Sequence, residues 1–424
     1  MWQNRWFSHD SLVTVSGEPL VVHHPGLYNH DSGPDFLQAR ISIGGVEWSG
    51  SVEIHLRSSD YHRHRHSEDP AYDPVILHVV WKQDREILHG DGTAIPALEL
   101  SARVDPDLLK RYRVLAESAL MLPCHRSLMQ IDAQPREAMI RDALVRRLDA
   151  QALRVLALRQ SCNGDWNETF YRLLARSFGL RVNAEAFFRL SELIPLRILL
   201  RNADRPQLLE ALLFGASGFL SRLPDDNYQL TLQETWFRLR EMYGLREMNT
   251  AEWKFMRMRP SGFPTLKIAR FAAVVPGLNG ILSELLRPDG PDRFRSMVLM
   301  TPSDYWASHT RFGRRSVRHG PGEQSADIMV INALVPFLAA WAKFTGDFYH
   351  LNVAIDLLES MSPEQNQTIG QWERAGLSPA DAAGSQALNW QIHEMCRRRR
   401  CLECEVGRAV LGGAGQPVDL ITAE

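Results

Sequence analysis

The feature that most constrains this chain is a change of hydrophobic period near residue 102. Before it, apolar residues recur every second position; after it, they recur at spacings of three and four. Leu37–Ile43 and Val46–Leu56 alternate apolar and polar residues on either side of Gly44-Gly45, a dipeptide suited to a two-residue hairpin turn. Pro74–Trp81, PVILHVVW, is a β-branched run of the kind found in a strand covered on both faces. Ile95–Leu100 follows the turn Gly90-Asp91-Gly92, and Leu12–Val15 and Leu20–His23 are weaker strands around Gly17. From Asp105 onward the spacing predicts helices, with Pro195, Pro206, Pro264 and Pro288 among their punctuation, and Ser308–Gln324 reads as a basic, mobile loop. The expected fold is α+β: an N-terminal mixed β-sheet domain over residues 1–102, then a larger all-α domain over residues 103–424.

Composition narrows the class. The 424 residues are 45% hydrophobic and 23% charged, which excludes disordered and collagenous chains. A net charge of −2 excludes a polycationic coat while leaving room for a local basic groove. Five cysteines are too few for a disulfide scaffold, and residues 1–20 lack the order of a signal peptide. The apolar stretch Ile328–Phe344 contains Asn332, Pro336 and Lys343 and falls short of the ~20 residues that span a bilayer. A cytoplasmic bacterial protein without a membrane partner is expected. GxSxG, Walker A, GxGxxG and HExxH patterns are absent, which argues against serine hydrolases, kinases, dehydrogenases and zincin proteases.

Two constellations carry chemistry. In the first, Gly33-Pro34-Asp35 opens one strand and Glu53-Ile54-His55 lies late in the next. Strand side chains repeat every two positions, so Glu53 and His55 share a face, and a hairpin would bring Asp35 and Glu53 together. Two carboxylates there suit Mg²⁺ or Mn²⁺. The run His62-Arg63-His64-Arg65-His66 follows, and an extended backbone would put its three imidazoles on one face. With His55, His78 and Asp73 they offer a His/carboxylate transition-metal set, whereas the plainer reading is a solvated loop. His23, His24 and His30 are further candidates, while Asn29 and Asp31 read as turn caps before Asp35. The second constellation is Cys396-x4-Cys401-x2-Cys404, which needs a fourth ligand for zinc or an iron–sulfur cluster. Cys124 is the first choice, ahead of Cys162 and His393. Arg397, Arg398, Arg399 and Arg400 inside that cluster form a candidate phosphate clamp. Arg257, Arg259, Lys267 and Arg270, with Arg311, Arg314, Arg315 and Arg318, are candidates to extend a nucleic-acid groove. Trp253, Phe255, Phe263, Tyr305 and Trp306 among them would stack bases or pack the core.

The stretch from Asp35 to Glu53-Ile54-His55 resembles the PD-(D/E)xK nuclease core. That resemblance implies Mg²⁺ held by Asp35 and Glu53, with His55 at the lysine position and His64 or His66 as a general acid. The match departs in that His replaces Lys, Glu18 is a poor counterpart for the family's preceding acid, and 57–74 is short for the expected crossover helix. The cysteine pattern resembles the RecB-type iron–sulfur nucleases, although the order along the chain and the spacing differ. GPDFLQARI, VEWSGSVEIHLRSSDY, YDPVILHVVW, RPSGFPTLKIAR and CRRRRCLECEVGRAVL together resemble a bacterial domain-of-unknown-function family, number 2851 of its series, along the whole chain. The sequence thus points to a metal-dependent nuclease-like hydrolase acting on nucleic acid, DNA before RNA. A non-catalytic nucleic-acid-binding or scaffold protein and a metallohydrolase of small phosphoesters are the alternatives.

Overall fold

The computed structural model describes residues 1–29, 31–316 and 322–412. His30 and Arg318 lie outside the described residues. The chain divides into two compact units, one of Met1–Arg136 with Cys396–Glu424 and one of Glu137–Met395. The change from strands to helices falls where the sequence placed it, since the last strand of the first unit's sheet ends at Glu99 and a helix begins at Pro106. The compact division falls elsewhere: residues 103–136 and the C-terminal cysteine segment belong with the sheet rather than with the helical unit.

The first unit holds a mixed sheet of β1 (Leu20–His24), β2 (Leu27–Tyr28), β3 (Phe36–Ile43), β4 (Val46–Arg57), β5 (Val75–Lys82) and β6 (Ala97–Glu99). Its order is β1-β3-β4-β5-β6, with β2 also pairing β3. Leu12–Val15, expected as a weak strand, contributes only the bridge Val13↔Pro19. β3 and β4 pair antiparallel through Gly44 (φ 58°) and Gly45 (φ 85°), the left-handed pair that a tight hairpin requires. β5 pairs parallel to β4, and β6 parallel to β5. Parallel pairing demands a crossover, which here is a single helical turn, Asp60–Arg63, and two 3₁₀ turns, His66–Glu68 and Pro70–Tyr72. The histidine run is therefore not extended as expected; Arg65 is left-handed (φ 61°) and breaks it into two turns. Tyr61, Tyr72, Val75, Ile87 and Ile95 form a small core.

Both neighbours of β4 shift register beside Gly50–Val52, immediately before Glu53. On one side Gln38 adopts φ 59°; on the other Ile76 bulges over Gly50, whose added Cβ would lie 2.5 Å from Ile76 Cγ2 and 2.6 Å from the Pro74 carbonyl. Gly50→Ala is expected to cost ~1–3 kcal/mol by overpacking, read as a lower denaturant midpoint at unchanged slope.

The second unit is helical around a large apolar core that includes Phe170, Phe187, Phe214, Phe271, Phe337, Trp236 and Trp306. Proline divides the expected helices. Pro195 separates Ala184–Leu193 from Leu196–Leu200. Gln324–Thr345 runs 22 residues and is long and apolar enough to cross a membrane, yet 67% of its apolar window is buried within the protein. Pro336 lacks an N–H and would clash with a carbonyl one turn back; the π-helical turn Val330–Leu334 just before it absorbs that conflict. The basic loop expected at 308–324 contains a short ribbon, His309–Arg311 with Arg314–Arg315.

Candidate functional site

The turn before β3 delivers Asp35. Asn29 holds it by donating from Nδ2 to the carbonyls of Ser32 (3.2 Å) and Pro34 (3.1 Å). Asp35 and Glu53 then interlock: the Asp35 N–H donates to Glu53 Oε2 (3.0 Å), and the Ile54 N–H donates to Asp35 Oδ2 (3.0 Å). The convergence expected from the hairpin is present.

The β4–β5 register sets His78 beside Glu53, so Glu53, His55 and His78 gather on one face. His55 Nδ1 lies 2.9 Å from His78 Nε2, and His55 Nε2 lies 3.2 Å from His64 Nδ1. Glu53 Oε1 is 3.7 Å from His55 Nε2 and 3.5 Å from His66 Nε2. Among the described residues, His55, His64 and His66 are a group whose donor atoms all lie within 4.8 Å of one another. His62 instead turns toward Ser67 Oγ (3.3 Å). His23 pairs with Ser42 Oγ (2.7 Å), His24 accepts from the Gly26 N–H (3.1 Å), and Asp73 is exposed.

Burial sets the charge states. Glu53 is 5% exposed; desolvation and the neighbouring Asp35 carboxylate push its pKa up to about 8, against the opposing Asp35 N–H. Asp35 is raised too, mainly by burial. Burial and the charges of His66 and His64 lower His55 to about 4, and burial with His55 lowers His78 to about 3. His66 is also lowered, by burial and His64. Two apposed acids that resist ionising, beside imidazoles that resist protonation and offer lone pairs, are groups that could hold a divalent cation. A cation on His55 Nε2 would require His55 Nδ1–H to donate to His78 Nε2, moving the His78 proton to Nδ1. That atom is buried and has no hydrogen-bond partner.

Two walls of the site escaped sequence reasoning. Tyr72 stacks on His66 with ring centroids 3.9 Å apart, and Tyr61 meets the His66 and His78 rings edge-on or tilted, each at 5.3 Å. Their only sequence signal is position, immediately before the histidine run and before the Asp73-Pro74 turn.

The proposed nucleic-acid residues fare unevenly. Lys267 and Arg270 are each 9% exposed, and Lys267 Nζ donates to the Phe178 carbonyl (2.9 Å), so neither belongs to a surface groove. Burial and Arg270 lower Lys267 to about 7. Arg257 and Arg259 are exposed. Trp253 and Trp306 are core residues, while Arg311 stacks on Phe255 and Phe263, 4.3 Å from each centroid. Within the arginine run, Arg399 donates to the carbonyls of Cys396 (2.8 Å) and Leu120 (3.0 Å), and Arg400 Nε pairs with Glu403 (2.7 Å). Arg397 and Arg398 are the exposed pair, so the run is not a four-residue clamp. Cys124, Cys396, Cys401 and Cys404 all fall in the first unit; Cys162 and His393 fall in the second.

Fold and site define an α+β protein with a buried carboxylate–imidazole constellation where antiparallel strand pairing gives way to parallel. The chain belongs to the family described as protein of unknown function, DUF2851, whose model matches residues 1–367. That range contains the whole constellation and Cys124 and stops before Cys396. No curated protein matches the chain, and no solved structure does.

Proposed function

We propose that the protein is a metal-dependent phosphodiester hydrolase of the nuclease type, acting on DNA in the cytoplasm. One observation carries the reading: Glu53, buried against Asp35, faces the converged nitrogens of His55 and His66. Glu53, His55, His64 and His66 would hold the ion, with Asp35 beside them. The imidazoles favour Mn²⁺ over Mg²⁺. A bound cation would lower the pKa of a coordinated water and offset charge on the phosphoryl oxygens. Asp35, whose Oδ2 accepts from the Ile54 N–H, would take the attacking water's proton at Oδ1. Arg63 and Arg65, exposed between the histidines, suit a polyanionic backbone. Five cysteines outside any disulfide suit a reducing compartment, and the burial of Gln324–Thr345 makes a membrane unnecessary.

The test incubates the full chain with single-stranded DNA, duplex DNA and RNA under Mn²⁺, Mg²⁺, Zn²⁺ or chelator. Cutting of DNA with Mn²⁺ that chelator abolishes is expected. If the chain binds Mn²⁺ yet cuts none of the three polymers with any ion, the reading gives way to a binding or scaffold role.

A further inference from the structure

We propose that Cys124, Cys396, Cys401 and Cys404 ligate one four-iron, four-sulfur cluster that fastens the C-terminal segment to the loop after Glu117. The proposal is independent of the reading above, because it shares no residue with that site.

The four thiols come from two segments of one unit that are already tied together. Arg399, in a left-handed conformation (φ 55°), reaches back to the carbonyls of Ser118 and Leu120 while holding the Cys396 carbonyl. Arg111 Nη2 donates to the Leu411 carbonyl (3.2 Å). Cys124 sits in a turn closed by its own carbonyl accepting from the Ser127 N–H (3.0 Å). Every pair among the four sulfurs is close enough for one thiolate to disfavour ionisation of the other. None of the four forms a disulfide.

The local backbone is shaped for a ligand. Cys404 caps the helix Glu405–Val410, and the N–H groups of Val406 and Gly407 point at its sulfur. Gly407 is required there, since an added Cβ would lie 2.0 Å from the Cys401 carbonyl oxygen.

Sulfur spacing selects the cluster over zinc. Tetrahedral zinc holds its four sulfurs about 3.8 Å apart, from bonds of ~2.3 Å. Among the described residues, no three of these sulfurs come within 4.8 Å of one another. A cubane spreads its ligand sulfurs to roughly 6–7 Å, wider than that limit.

The full chain is purified without oxygen and assayed for iron, acid-labile sulfide and zinc. A brown protein with about four irons and four sulfides per chain is expected. Cys124→Ser and Cys404→Ser should each lose most of that iron, while Cys162→Ser and Glu53→Gln should keep it. Mössbauer spectra of the wild type, which need no variant to fold, should show iron ligated by sulfur throughout. Stoichiometric zinc without sulfide, a chain that takes up neither after reconstitution with iron and sulfide, or Cys124→Ser with wild-type iron content would each overturn the assignment.

Discussion

Replacing Glu53 by glutamine is expected to lower metal-dependent hydrolysis roughly 10³-fold, the rate equivalent of about 4 kcal/mol of lost transition-state stabilisation. Glutamine has nearly the same volume, and its amide oxygen can still accept the Asp35 N–H that now meets Glu53 Oε2 at 3.0 Å. The change therefore removes the charge and keeps the packing. Asp35→Asn should behave alike, because its carbonyl oxygen can replace Oδ2 as acceptor for the Ile54 N–H. The measurement is initial rate against Mn²⁺ concentration, beside a thermal melt to confirm folding. Activity within tenfold of wild type at saturating Mn²⁺ would remove Glu53 from the site.

Metal-induced stabilisation should grow as pH rises from 6 to 8.5. The Glu53 carboxyl moves from an unfolded value of 4.5 to about 8 in the fold. Its contribution is thus fully present below pH 4.5 and is lost as pH rises through 8, a loss of up to about 5 kcal/mol. His55 and His78 act in the opposite sense. Lowered from 6.5 to about 4 and about 3, they favour the fold above pH 6.5, and that support is lost as pH falls through their folded values. The metal-free protein is caught between these trends, and above pH 6.5 the Glu53 loss dominates. A cation needs Glu53 ionised and the imidazoles neutral, so its binding strengthens along the same axis. The melting temperature gained with Mn²⁺ should be larger at pH 8.5 than at pH 6 by roughly 5–10 °C. Metal-free Glu53→Gln should melt above metal-free wild type at pH 8.5. A Mn²⁺ effect independent of pH, or larger at pH 6, would contradict the buried-carboxylate origin.

What the sequence revealed was local. Gly44-Gly45 announced the hairpin, and the hairpin brought Asp35 to Glu53. The histidine run misled, because alternation looks the same in an extended segment and in two short turns broken at Arg65. His55 departs from the nuclease pattern's lysine in kind: its ring joins His78 to His64 and, when neutral, can donate at one nitrogen and accept at the other, whereas an ammonium only donates. Tyr61 and Tyr72 were invisible because their stacking depends on how the crossover folds back over β4. Lys267 and Arg270 read as part of a nucleic-acid groove, yet Pro264–Val274 is buried nearly all round and a backbone carbonyl receives the lysine. The return of residues 396–412 to the first unit leaves no periodic trace, since Arg111 and Leu411 are 300 positions apart.

That return has a temporal side. During synthesis the sheet and its carboxylates can form once the first 136 residues are free, but their unit stays incomplete until about 260 more have been made. At ~5–20 residues per second the wait is roughly 15–50 s, long enough for nascent chains to hold the carboxylate–imidazole face on an unfinished body. Ribosomes that stall after the helical unit would release chains that lack Cys396, Cys401 and Cys404 and leave Cys124 alone in its turn. Pulse-labelled chains should accordingly pass from protease-sensitive to protease-resistant in the first unit only when the last segment emerges.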